Sequence, residues 1–291
     1  MAMRLDDAGP AVDESDLSQM ATEGTQAVNL FSARLEDVQS IVSILRTIGF
    51  AQEAACEMSE AGLKFTVEHH KALEAKAFFQ ESLFKDFHFG DRGESTSITV
   101  NLGVLLECLS IFGSSPSATL KMSYVGYGSP LVLLLEDEGV LTDCSVRTSE
   151  PSDPLGIEVR QTEIPGNIIM KSHWLAEVFA EFDPTSESVE IVISPDKPFF
   201  RLSTRGSGGS THVDCPKDSD LIESFTCGQT MVYSYSLKLL KPTEKALAIS
   251  SRISIRMNAF GTMSIQFLVE ADNGHVTFIE FLLLPLDDSI D

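Results

Sequence analysis

Two segments far apart in the chain follow one plan. Residues 121–144 (KMSYVGYGSPLVLLLEDEGVLTDC) and 252–281 (RISIRMNAFGTMSIQFLVEADNGHVTFIEF) each read as strand, glycine turn, strand, acidic-glycine turn, strand. Each half of the chain also carries two helix candidates upstream of this unit. Two strand-rich halves built alike argue for tandem α+β domains with sheets as the dominant element.

The elements themselves come from periodicity. In the first half, strands are expected at 31–35, 54–58, 63–68, 73–79, 87–89, 97–101, 119–125, 131–135 and 140–148. A helix is expected over 37–48, where Val38, Ile41, Val42, Leu45 and Ile48 share one face and Asp37 stands where the helix dipole favours it. A second helix over 102–112 stops at a Gly-Ser-Ser-Pro run. Residues 150–156 hold two prolines and no hydrophobic period, which marks a connector. The second half repeats the scheme, with strands near 157–162, 189–193, 199–204, 211–215, 222–227, 247–257, 262–269 and 276–284. Its helices are expected at 171–182, burying Trp174, Leu175, Val178, Phe179 and Phe182, and at 237–245, kinked at Pro242. The domains therefore span 28–149 and 157–285, with polar acidic tails at 1–27 (read as disordered) and 286–291.

Composition narrows the class. Hydrophobic content of 43% over 291 residues supports a substantial core. No apolar run approaches the ~18 residues of a membrane span, and the N-terminus has no secretory pattern. Five scattered cysteines without a CxxC pair read as reduced thiols and not as a zinc site. A net charge of −22 opposes nucleic-acid binding by the surface as a whole, so any contact with phosphate must come from local basic positions.

Three stretches carry a resemblance. Residues 194–221 (SPDKPFFRLSTRGSGGSTHVDCPKDSDL) and 102–130 (LGVLLECLSIFGSSPSATLKMSYVGYGSP) closely resemble the Rad-one subunits of the heterotrimeric DNA-damage checkpoint clamp, the nine-one-one complex, and 34–79 matches in pattern. The resemblance implies the sliding-clamp fold of proliferating cell nuclear antigen: helices lining a central channel, sheets outside, three subunits closing a ring. It further implies a nuclear, non-catalytic protein. Its partners would be two related clamp subunits, an ATP-dependent loader, checkpoint and repair proteins, and double-stranded DNA threaded without sequence preference. No cofactor, metal or membrane is implied.

Against that background, four sets of residues matter. The basic positions Arg46, Lys171, His173, Lys238, Lys241 and Lys245 lie on helix candidates; the last three lysines fall at i, i+3 and i+7 and share a face if the helix continues. They read either as phosphate-facing or as an ordinary solvated face, and the base-poor first half points to weak DNA contact and away from a homotrimeric polymerase clamp. Phe78, Leu268 and Phe278 stand an even number of residues from polar neighbours and so fall on the polar face of their strands. Clamps of this type dock partner peptides in an apolar groove under the connector, which makes these three its candidates; the alternative is that they pack on a helix or on each other. By resemblance, Val140, Cys144 and Val146 on one strand and Thr211, Val213 and Cys215 on another lie on edges that pair between subunits. Last, an exonuclease alternative needs acids converging on metal ions about 4 Å apart. The acidic spots at 136–139, 218–220 and 272–274 read instead as turns, as does His69-His70. There is no Walker loop, and Gly206-Ser207-Gly208-Gly209 reads as a hairpin loop.

Overall fold

The computed structural model describes residues 29–90, 95–151, 155–157, 159, 164–270, 274 and 276–287. The first half runs β1 Phe31–Leu35, α1 Val38–Ile48, β2 Glu53–Ser59, β3 Gly62–His69, β4 Leu73–Gln80, β5 Asp86–Phe89, β6 Thr96–Asn101 and α2 Leu102–Leu109. It ends with β7 Thr119–Tyr124, β8 Leu131–Asp137, β9 Val140–Val146 and the short β10 Thr148–Ser149. The second half runs β11 Gly166–Lys171, α3 Ser172–Ala180, β12 Ser188–Ile193, β13 Phe200–Gly206, β14 Gly209–Cys215, β15 Ile222–Cys227 and β16 Met231–Ser236. It closes with α4 Leu237–Leu240, α5 Thr243–Ile249, β17 Arg252–Met257, β18 Met263–Glu270 and β19 Val276–Leu283.

The chain is mainly β, in three antiparallel sheets. One has the order β5-β1-β7-β8-β9, and one β14-β13-β12-β16. The third is ten-stranded: β10-β6-β2-β3-β4-β19-β18-β17-β11-β15. Its second part, from β19 to β15, repeats the five-stranded order strand for strand, read from the other end. Its first part, from β6 to β4, repeats the order of β16, β12, β13 and β14. The halves meet where β4 pairs with β19, in the register Leu73↔Leu283, Ala75↔Phe281 and Ala77↔Ile279. All six of these side chains are buried. Phe281 lies 5.6 Å from Phe267 and 6.1 Å from Phe50, so an aromatic from the first half seals the second.

Local chemistry sets the helix starts. Asp37 caps α1 by accepting from the amides of Gln39 (3.0 Å) and Ser40 (3.4 Å), and Asn101 caps α2 through the Val104 amide (3.0 Å). α1 turns Val38, Ile41, Val42, Ile44, Leu45 and Ile48 into the core. It touches α2 on one side and α5 on the other, and α5 touches α3, so the helices form one row across both halves. The β8–β9 turn needs left-handed backbone at both Glu138 (φ 47°) and Gly139 (φ 83°), which suits a two-residue hairpin.

Several boundaries differ from the sequence expectation. Residues 158 and 160–162 of the strand expected near 157–162 lie outside the described residues; 157 and 159 carry no strand, and the strand entering the helix is β11 instead. β16 is an additional strand, six residues long, that runs directly into α4. α2 ends at Leu109, three residues early. The helix expected to end near 245 continues to Ile249, so the following strand starts at Arg252. The tail at 1–27, residues 152–154 of the connector and the acidic end from 288 fall outside the described residues. No described helix is long and apolar enough to cross a membrane.

Candidate functional site

Three surfaces emerge. The first is the exposed side of the helix row. Arg46, Lys171, His173, Lys238, Lys241 and Lys245 are all exposed on it or at its ends. Opposing them are Glu107, Glu177, Glu181 and Glu244, so this side is close to neutral in a chain of net charge −22. Lys171 is not helical: it ends β11 and occupies the N-cap of α3, where a cation faces the positive end of the dipole. Arg46 donates from Nη2 to Ser110 Oγ at 3.0 Å, tying α1 to the end of α2. The helix holding the three lysines is split, yet Lys241 (φ −49°, ψ −40°) and Pro242 (φ −55°, ψ −27°) both keep right-handed helical backbone. Pro242 lacks only an N–H that a helix start leaves unpaired and opens α5, so the continuous helix expected here is broken between Leu240 and Thr243. His69 approaches this surface. Burial, then the charges of His70 and Lys238, hold its imidazole below its ordinary range. The His69-His70 pair itself sits at a strand end and turn, as its sequence suggests.

The second surface is on the outer face of the ten-stranded sheet. Phe78 stands directly opposite Phe278, and Phe278 opposite Leu268. Three residues that the chain separates widely thus form one row across β4, β19 and β18. They are cross-strand neighbours, and Phe278 stays 42% exposed. Lys64 and Arg252 flank the row at its two ends, paired with Glu57 and Glu223 respectively. The next outward row is polar. Glu280 there accepts from Ser264 Oγ (2.6 Å), Arg256 Nη2 (2.9 Å) and Gln266 Nε2 (3.3 Å). Beyond it Glu74 is buried against Lys76. A groove of about 850 Å³ opens beside these residues, bounded by Lys64, Thr66, Glu68, Glu74 and Lys76 and by Pro151 and Gly156 of the connector. The Leu155 amide donates to Glu68 Oε1 at 2.8 Å and pins the connector there. Sequence alternation picked out the three apolar residues one by one; their row and the acids and lysines around it depend on register between distant strands.

The third surface is a pair of open edges. β9 and β14 each end a sheet. Val140 and Thr211 are exposed, Cys144 and Val213 half-buried, while Val146 and Cys215 are buried in the chain's own core and offer only backbone at the edge. Arg201 grips Asp214 of β14 through two bonds of 2.6 and 2.8 Å, and holds its carboxyl below the usual range.

The acidic spots are turns. Asp137 Oδ1 accepts from Ser117 Oγ (2.6 Å) and Ser115 Oγ (3.0 Å), and Ser219 closes a turn onto the Pro216 carbonyl. Residues 272 and 273 lie outside the described residues. Among the described residues no group of three or more His, Cys, Asp or Glu could hold a metal ion. Ser207 and Gly208 form the β13–β14 hairpin turn, anchored by Thr185 and Asp183. All five cysteines are free thiols; burial, with the charge of Glu57, pushes Cys56 up to about 12.

Known proteins bear on these surfaces. The family described as repair protein Rad1/Rec1/Rad17 matches residues 30–269. The human cell cycle checkpoint protein RAD1 is 45% identical over 257 residues, covering 87% of this chain and 90% of the relative. The DNA damage checkpoint control protein rad1 of Schizosaccharomyces pombe is 31% identical, covering 89% and 87%. A more distant relative, 28% identical over 61% of this chain and 50% of its own length, is the DNA repair exonuclease REC1 of Mycosarcoma maydis. With a match running from the first described strand into β18, and relatives named for checkpoint control and DNA repair, the chain belongs to the Rad1 family.

Proposed function

We propose that this chain is a non-catalytic subunit of a heterotrimeric, ring-shaped DNA clamp that encircles duplex DNA at damage sites and tethers checkpoint and repair proteins. The observation that carries it is the doubled sheet order. Two domains, 28–149 and 157–285, each contribute a β5-β1-β7-β8-β9-type set of five strands and a β16-β12-β13-β14-type set of four, the first domain adding the short β10. One pair of edges, β4 and β19, is used inside the chain, and the equivalent pair, β14 and β9, is left over. Head-to-tail pairing of those unlike edges with neighbouring subunits propagates the same curvature and closes a ring when the rotation fits. The helix row then faces the channel, and its near-neutral surface spares phosphates the repulsion of the acidic exterior. Contacts through Lys238, Lys241 and Lys245 are sequence-blind. The outer apolar row with the groove under the connector is the docking place for partner peptides. The ring acts in the nucleus, placed by an ATP-dependent loader, and retention raises the local concentration of whatever it holds.

The test compares the assembled ring, loaded on closed circular and on linear DNA, after a salt wash. Long retention on circles and rapid loss from linear ends is expected. Equal retention on both refutes encirclement. The name of the REC1 relative supports a second reading, an exonuclease. Magnesium or manganese titration of highly purified protein, beside Asp218→Asn and Asp220→Asn variants, tests it; activity indifferent to every carboxylate variant rejects that reading.

A further inference from the structure

The groove under the connector holds one side chain whose bonding is incomplete. Glu74 lies on the same face of β4 as Lys76 and Phe78, yet it is only 1% exposed. A carboxylate so deeply placed needs donors or cations for both of its oxygens. Lys76 forms an ion pair with Oε1. Among the described residues neither Oε1 nor Oε2 completes a hydrogen bond, and Glu74 lines the groove.

The surroundings leave Glu74 short of positive charge. Glu68 stands directly opposite it across the β3–β4 pair, and like charges in that relation repel. Glu68 Oε1 accepts from the Leu155 amide at 2.8 Å, a neutral donor that leaves the charge uncompensated. On the other side of β4 stands Leu282 of β19, whose side chain offers no polar group. Two residues along, Lys76 faces Glu280, which Arg256 also holds. Three carboxylates (Glu68, Glu74 and Glu280) thus share two cations (Lys76 and Arg256), all of them half-buried or buried, where charges act more strongly than in open water. Elsewhere in the groove Lys64 and Glu57 pair with each other, and Glu53 adds further negative charge. The patch lacks a positive charge, and Pro151 and Gly156 of the connector border the opening through which one would enter.

This acidic patch is in register with the apolar row. Phe78 follows Glu74 by four residues on one face of β4, about 13 Å along a strand that rises ~3.3 Å per residue, and Phe278 stands beside Phe78. An extended peptide lying along β4 reaches both places with side chains four residues apart, since that spacing returns to the same face. We propose that Glu74 and Glu68 form a cation subsite of the docking groove, which takes a lysine or arginine side chain of a partner peptide whose apolar anchor, four residues away, rests on Phe78 and Phe278. A guanidinium fork can donate to both carboxylates at once, which favours arginine of the two. This rests on the docking reading above and states what the groove selects.

The test selects random peptides of about a dozen residues, displayed on phage, on the intact chain, with counter-selection on a Phe278→Ala variant so that only users of the apolar row remain. Recovered peptides are synthesised, and fluorescence polarisation measures their affinity for the unaltered chain and for Glu74→Gln and Glu68→Gln. Lysine or arginine is expected four residues from an apolar residue, with affinity about 10-fold weaker or worse in Glu74→Gln. Changing that basic residue to glutamine should cost as much on the unaltered chain and little more on the variant. Peptides without a basic residue at that spacing, or binding the glutamine variants as well as the unaltered chain, overturn the subsite and leave the groove standing. Binding abolished by EDTA overturns it too, because a divalent ion then bridges the acids. Failure to recover any peptide that depends on Phe278 overturns the docking reading and this inference with it. Should Glu74→Gln fail to fold by circular dichroism, Glu68→Gln, at a half-buried position, carries the same comparison.

Discussion

Phe278 and Phe281 lie three residues apart on β19 and face opposite ways, so truncating each measures how the molecule uses its two sheet faces. Phe281 is fully buried, opposite Ala75 on β4 and Ile265 on β18, with the rings of Phe267 and Phe50 beside it. Phe281→Ala loses the transfer free energy of the ring and leaves a cavity that rigid strands on both sides cannot close, about 3–5 kcal/mol. For a chain of this size each kcal/mol moves the thermal midpoint by about 2–4 °C, so a fall of about 6–20 °C is expected. Phe278 is already 42% exposed and its neighbours on the outer face are Phe78 and Leu268. Each cross-strand contact contributes about 0.2–1 kcal/mol, so Phe278→Ala should cost about 1 kcal/mol. Urea unfolding followed by circular dichroism reads both, with midpoints compared at a common slope. Comparable losses for the two variants would refute the reasoning: the outer row would then be covered core, and no docking surface would exist there.

Replacing Lys238, Lys241 and Lys245 together by Glu in the assembled ring should weaken DNA retention and flatten its salt dependence, by up to about 0.9 in log–log slope for each phosphate no longer neutralised; an unchanged slope removes these lysines from the DNA surface. His69 should titrate below its ordinary 6.5 in a proton-resonance experiment, and Lys238→Ala should raise it by removing a like charge. Because the folded state binds that proton less readily than the unfolded chain, the His69 contribution to stability is present above pH 6.5 and is lost as pH falls through that value toward the folded one; stability rising on mild acidification at this site contradicts the assignment. Asp37→Ala leaves the amides of Gln39 and Ser40 without their cap and should cost about 1 kcal/mol in chemical unfolding, with no effect expected if α1 starts elsewhere.

The row Phe78, Phe278 and Leu268 illustrates what could be read early. Each residue violates the alternation of its own strand, a local signal that needs no partner. That the three are neighbours depends on β4 pairing with β19, a contact between the two halves that no local pattern encodes. The same holds for Glu280, whose partners Arg256, Ser264 and Gln266 come from two neighbouring strands. β11 and β16 escaped notice for a different reason. Both are short and run directly into helices, so the period of two changes to 3.6 before it can be counted. The lysines expected at i, i+3 and i+7 of one helix fall instead on α4, on the joint and on α5, because the helix breaks at Pro242.

Periodicity and turn residues were enough to determine a strand-rich chain with amphipathic helices, because these are properties of neighbours along the backbone, and the family was legible separately, in the resemblance of three stretches. Only the tertiary structure decided which strand of one half meets which strand of the other, and hence which edges remain free. Hydrogen-bonded edges are alike in every strand; the choice among them falls to side-chain packing across the junction, where Phe281 and Ile279 cover Ala75 and Ala77, and that complementarity exists only once distant segments meet.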